Sequence, residues 1–274
     1  RVSKDVMKVL KKYADRFEQV SIDEAFLDVS EKVKAFPDSE ALAQKIKQEV
    51  YERERIICSI GVAPTKVVAK IATDMGKPNG LIVVEAGDVK RFLAPLSVSK
   101  IPGVGKKTQT ILQNLGITKI EDLAKTPLQT LTEKLGKHAL WLRSAANGID
   151  DSEVIGFWEP KSISSESTFE KDTDDLNELK RTIEELAEEV HRRATADNYL
   201  FKTIGLKVRF EGFETYTRAK SLTSYTDSKQ IIIDNALTML KEFENKKKIR
   251  LLGVKVSALR KVEGAQKRLL AWMK

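Results

Sequence analysis

Two acids stand side by side in an apolar setting at Ser21-Ile22-Asp23-Glu24-Ala25-Phe26-Leu27-Asp28. Withdrawing carboxylates from water is costly unless a cation offsets it. Hard divalent cations such as Mg²⁺ take oxygen ligands and commonly share them with substrate phosphates. Neighbouring strand residues face opposite ways, so both acids can reach one ion only at a bulge or a strand end. Two readings of the pair stand: a metal-bearing site, or a solvated strand end. Asp28 reads as structural. Lys77 lies in the turn GKPNG, where Pro78 and Gly80 fix the backbone. It reads as a phosphate contact or as a surface lysine. Lys66 and Lys70 lie four apart on one helix face. They form a basic stripe or a plain solvated face.

A second constellation is Ile101-Pro102-Gly103-Val104-Gly105-Lys106-Lys107, with Leu115-Gly116-Ile117 behind it. It resembles a helix-hairpin-helix. The glycines let backbone N–H groups approach a phosphate, and a helix N-terminus favours the anion. Lys106 and Lys107 add charge there, for contacts that position DNA without reading its sequence. A third is the alternation in 202–211, where Ile204, Leu206, Val208 and Phe210 share one face and Lys207 and Arg209 the other. Arg218 and Lys220 share a face of the next strand, and Arg250 and Lys255 follow further on. The acids gather instead in helix 174–190, which predicts a sheet with one cationic side.

The elements that must hold these groups follow from periodicity. Residues 1–16 have helical spacing, 18–29 read as extended, and 39–55 as a helix. Residues 56–62 and 81–84 read as short strands around a helix that starts near Pro64, an alternating α/β domain. From 87 to 148 the pattern is of short helices, and 149–160 reads as a linker. Strand 161–169, helix 174–196, strands 201–210 and 214–223, helix 228–243 and strand 249–259 then give β-α-β-β-α-β, a ferredoxin-like or split-βαβ order. Residues 261–274 form a tail.

Composition narrows the class. The 274 residues carry 48 Lys and Arg against 40 Asp and Glu, a net charge of +8. A basic balance permits a polyanionic partner. The one cysteine, Cys58, excludes an internal disulfide and suits a cytoplasmic setting. One Cys and two His make a zinc site a poor fit. No apolar run approaches a membrane span.

Three motifs occur together and in order: SIDEAFLDVS (21–30), GVAPTKVVAKIATDMGKPNGLIVV (61–84) and IPGVGKKT (101–108). In this the chain resembles Y-family translesion DNA polymerases, of the archaeal type related to bacterial polymerase IV. The resemblance implies an α/β multidomain protein. A partial palm would span 1–86, a helical thumb 87–148, a linker 149–160 and a β-α-β-β-α-β little finger 161–260. It implies template-directed addition of a dNTP to a primer 3′ end past damaged bases, at low fidelity and without proofreading, by a monomer with no membrane partner. Asp23 and Glu24 would bind two catalytic Mg²⁺ ions, Lys77 would contact the triphosphate, and Ser21 would lie near the primer end. Gly103, Gly105, Lys106 and Lys107 would hold the primer strand. Lys207, Arg209, Arg218, Lys220, Arg250 and Lys255 would line the duplex contact.

The family pattern begins with a further strand that carries another metal-binding Asp, followed by the fingers. Nothing before Arg1 matches it, so the expectation for these 274 residues alone is DNA binding without polymerase activity. The competing class is a non-catalytic DNA-binding module. The tail, with Gln266, Leu269, Trp272 and Met273, resembles a sliding-clamp-binding peptide. An ordinary amphipathic tail is the alternative.

Overall fold

The first strands owe their form to a hydroxyl. In the computed structural model, which describes residues 1–157, 159–244 and 246–262, α1 (Val2–Lys12) leads into β1 (Arg16–Gln19). β1 pairs antiparallel with β2 (Ala25–Asp28), in register Arg16↔Asp28 to Gln19↔Ala25. The extended stretch expected over 18–29, with a break in register near Glu24, is therefore part of a hairpin. Ser21 breaks it: its Oγ accepts from the amides of Asp23 (3.2 Å) and Glu24 (3.1 Å), a hydroxyl-stabilised turn.

α2 (Ser39–Glu54) is capped by Asp38, whose carboxylate accepts from the Ala41 amide at 2.7 Å. Its apolar face (Leu42, Ile46, Val50) packs on Val9, Leu10 and Leu27. β3 (Ile60–Val62) and β4 (Leu81–Val83) are parallel and joined through α3 (Lys66–Met75), a βαβ crossover. The strand expected from 56 starts only at Ile60, and Ile56 and Ile57 are exposed. α3 starts at Lys66 with Thr65 in the capping position, not at Pro64.

The short helices are α4 (Val89–Leu93), α5 (Lys106–Asn114), α6 (Ile120–Lys125), α7 (Leu128–Leu135) and α8 (His138–Ala146). Leu93, Ile101, Leu112, Leu123, Leu131 and Leu142 form their core, which is continuous with Val68 and Ile71 of α3. The stretch read as a linker is tied down over its first half. Asp150 accepts from the Val67 amide at 3.1 Å, Thr65 Oγ donates to the Gly148 carbonyl, and the Ile155 amide donates to Glu18 at 3.0 Å. All of this belongs to one compact unit, residues 1–158.

The second unit, residues 159–274, holds β5 (Ser162–Thr173), α9 (Leu176–Ala196), β6 (Tyr199–Phe210), β7 (Thr215–Thr226), α10 (Lys229–Leu240), β8 (Ile249–Ser257) and β9 (Arg260–Lys261). The β-α-β-β-α-β order is as expected. The strands lie β5-β8-β6-β7, antiparallel throughout, with β9 beside the start of β6. This is a split-βαβ form with the second and fourth strands central, where the ferredoxin arrangement centres the first and third. α9 and α10 cover one face through Ile183, Val190, Ile232, Ile204, Val208 and Val254. Gln266, Leu269, Trp272 and Met273 lie outside the described residues.

Candidate nucleotide and nucleic-acid site

Asp23 and Glu24 sit in the hairpin turn, not inside an apolar strand. Asp23 is exposed and Glu24 only partly covered. Their placement comes from Ser21, whose Oγ donates to Asp23 Oδ1 at 2.6 Å while it accepts from the turn amides. Glu24 is paired with Lys70 of α3. Lys70 Nζ also lies 3.3 Å from Asp74 Oδ1, and Asp74 Oδ1 takes Lys77 Nζ at 2.7 Å. An alternating chain, Glu24–Lys70–Asp74–Lys77, thus joins the carboxylate turn to the GKPNG turn. Burial pulls the Lys70 ammonium down, but its bonds to Glu24 and Asp74 leave it raised. Burial likewise pushes Asp74 up, and Lys77 and Lys70 outweigh it.

Lys66, Lys70 and Asp74 follow one helix face at spacings of four. The two lysines do not form a basic stripe, because each answers an acid of the hairpin. Lys66 Nζ meets the buried Glu18 at 2.6 Å and lies over the Phe26 ring. Asp28 is structural, accepting from the amide and hydroxyl of Ser30, and these bonds hold its carboxyl below the usual range despite some burial.

The GKPNG turn is held from behind by a residue that the sequence pattern did not single out. Lys47 of α2 donates to the carbonyls of Cys58 (2.5 Å), Asn79 (2.9 Å) and Gly80 (3.1 Å) and to Asn79 Oδ1 (2.9 Å). Asn79 has φ +56°, and a Cβ at Gly80 would stand 2.0 Å from the Gly76 carbonyl oxygen. Only a bare backbone fits there. No local signal marks Lys47, since its partners lie 11 to 33 residues away.

Among the described residues, no group of three or more His, Cys, Asp or Glu converges to hold a metal ion. The exposed, adjacent carboxylates of Asp23 and Glu24 are oxygen donors of the kind Mg²⁺ accepts. They fit part of its coordination, with phosphate oxygens and water supplying the rest.

In the hairpin, Gly103 has φ +83°, and the Val104 amide closes the turn onto the Ile101 carbonyl at 3.0 Å. Gly105 caps α5 without a side-chain partner, so Lys106 and Lys107 open a helix whose first amides have no partner within the helix. Trp141, stacked on His138, packs beside Gly103.

In the second unit, Lys207, Arg209 and Lys255 share the sheet face that carries no helix. The register pairs Gly205 with Lys255 and Lys207 with Gly253. Arg218 and Lys220 do not join them. Thr217 pairs with Lys207, so Arg218 pairs with Leu206 and Lys220 with Ile204, on the helix side. Arg218 meets Glu242 at 2.6 Å and lies over the Phe243 ring. Arg250 lies 3.4 Å from Asp172 and over the Phe213 ring.

Known proteins agree with this anatomy. The impB/mucB/samB family matches residues 1–74, its helix-hairpin-helix motif 86–117, and its C-terminal domain 160–269. The chain belongs to the Y-family of DNA polymerases, in the impB/mucB/samB group. It is 44% identical over 265 residues to DNA polymerase IV 2 of Methanosarcina mazei, covering 97% of this chain and 72% of that protein. It is 46% identical over 258 residues to DNA polymerase IV of Methanoculleus marisnigri, covering 94% and 71%. A solved Y-family DNA polymerase chimera, Dbh-Dpo4(243-245)-Dbh, superposes with TM-score 0.85 at 31% identity, over 95% of this chain and 76% of the chimera. An insertion ternary complex of Dbh DNA polymerase gives 0.61 at 29% identity, over 95% and 76%. No helix among the described residues is long and apolar enough to cross a membrane.

Proposed function

We propose that the chain serves template-directed DNA synthesis past damaged bases, joining a dNTP to a primer 3′ end. The observation that carries this is the Glu24–Lys70–Asp74–Lys77 chain, which ties the acidic turn to a lysine on a rigid turn. Asp23 and Glu24 would hold two Mg²⁺ ions. When bound, these supply Lewis-acid stabilisation of the attacking hydroxyl and the triphosphate. Ser21 fixes the Asp23 carboxylate and would itself lie near the primer end. Lys77 exchanges Asp74 for a triphosphate oxygen, while Lys70 keeps Glu24 and Asp74 in place. The amides at Gly105–Lys107 hold a backbone phosphate of the primer strand, and Lys207, Arg209 and Lys255 hold duplex backbone.

All of these are contacts to phosphates or to metal-bearing groups, and none reads a base edge. Such contacts hold DNA of any sequence, while low fidelity and the lack of proofreading are carried by the family resemblance. A clamp contact through Gln266, Leu269, Trp272 and Met273 rests on its sequence pattern.

Single-nucleotide primer extension with Mg²⁺ tests the reading. With the family's N-terminal strand and fingers joined to these residues the polymerase should extend, and Asp23→Ala and Glu24→Ala should each abolish extension while DNA binding persists. Extension that survives both substitutions overturns the assignment. Primer–template binding with no metal-dependent step would favour the non-catalytic module.

A further inference from the structure

One row of the second unit's sheet crosses three strands. Glu166 on β5 faces Gly253 on β8, and Gly253 faces Lys207 on β6. The two charged residues are therefore two strand spacings apart, roughly 10 Å between backbones. A Cβ at position 253 would stand 3.2 Å from the Glu166 Cβ and 3.4 Å from the Lys207 Cβ. With glycine there, the side chains meet over the bare strand, and Lys207 Nζ donates to Glu166 Oε2 at 2.7 Å. The next row has Lys255 between Ser164 and Gly205, with Ala219 beyond. Small residues thus leave a shallow groove of about 410 Å³ across the helix-free face, with Lys207 and Lys255 on it.

We propose that Glu166 sets the affinity of this groove for DNA by occupying the position on Lys207 that a backbone phosphate takes. The inference rests on reading the helix-free face as the duplex contact. In the free protein the ion pair spans the Gly253 notch. On binding, Lys207 passes from the carboxylate to a phosphate, and Glu166 is left facing the polyanion. Both effects weaken binding, and both reduce the net contribution of Lys207 to its salt dependence. The side chains of Lys207 and Glu166 are 32% and 53% exposed. Such a pair adds little to stability, so its removal leaves the sheet folded.

The test is duplex-DNA anisotropy across a salt series for the wild-type chain, Glu166→Gln, Glu170→Gln, Lys207→Met and the Glu166→Gln/Lys207→Met double variant. Glu170→Gln changes the net charge equally on the same strand. Glu166→Gln should tighten binding about fivefold, the upper end for an exposed pair. It should also steepen the log–log salt slope, by less than one phosphate contact because Lys207 reaches the phosphate in both forms. Glu170→Gln should give clearly less, and the gain should vanish in the Lys207→Met background. Equal gains from the two glutamines, or a gain that persists without Lys207, overturn the proposal while the duplex reading stands. Absence of DNA binding in every form overturns both.

Discussion

Replacing Lys47 by Met removes a group that ties α2 to three carbonyls and one side-chain oxygen around the GKPNG turn. An ammonium has three donors for these four acceptors. Hydrogen bonds to a charged donor contribute about 1.5–3 kcal/mol each. The site is only partly buried, so water recovers much of this, and a net loss of about 2–3 kcal/mol follows. The loss should be local. Hydrogen exchange at the Ile60 amide, bonded to the Gly80 carbonyl, and at the Gly80 amide, bonded to Ser59 Oγ, should quicken on the order of 30- to 150-fold. Amides of β8, in the other unit, should not change. Because Lys77 rides on the same turn, dNTP affinity should fall roughly tenfold, about one charge-assisted bond. Lys47→Arg should restore most of both effects. Unchanged exchange at Ile60 and Gly80 in Lys47→Met would refute the clamp.

Lys66→Met takes the ammonium from the buried Glu18 carboxylate, and should cost the first unit about 3 kcal/mol in denaturant unfolding, with Glu18→Leu in the same chain recovering most of it. On the helix-free face, Arg209→Ala and Lys255→Ala should each lower the salt slope of duplex binding by about 1, whereas Arg218→Ala, on the helix side, should leave it unchanged. Glu49 accepts from Lys12 and Tyr13, which hold its carboxyl down at about 2 against an ordinary 4.5. Its contribution to stability is therefore complete above about 4.5 and lost as pH falls toward 2, and Glu49→Gln should flatten that acid limb. Tyr13 moves the other way: burial and then the Glu49 bond push its hydroxyl up to about 12, so its contribution is full below 10 and lost as pH rises toward 12.

Much of this architecture is legible in residue order. The 3.6-residue spacing of Leu179, Ile183, Leu186 and Val190 marks α9, and the alternation from Ile204 to Phe210 marks β6, to within a few residues of the observed ends. What local pattern cannot supply is partnership. Asp23 and Glu24 look like strand residues until Ser21 is seen to fold the chain back with its hydroxyl. Lys66 and Lys70 look like a stripe until the hairpin brings Glu18 and Glu24 against them. Arg218 and Lys220 share a face, but the register with β6, fixed across the sheet, decides which face that is. Lys47 and Glu166 act through residues far away in sequence, and neither stands out in a linear reading.

Whether Asp23 and Glu24 carry the divalent ions is tested most directly by Mn²⁺ binding, followed by electron paramagnetic resonance, in the presence of primer–template DNA and a non-hydrolysable dNTP. Binding should depend on the nucleotide and should weaken at least tenfold, on the order of one lost charged ligand, in Asp23→Asn and in Glu24→Gln, with DNA affinity unchanged. Mn²⁺ held equally well by both variants would contradict the assignment of the metal-bearing site to this turn.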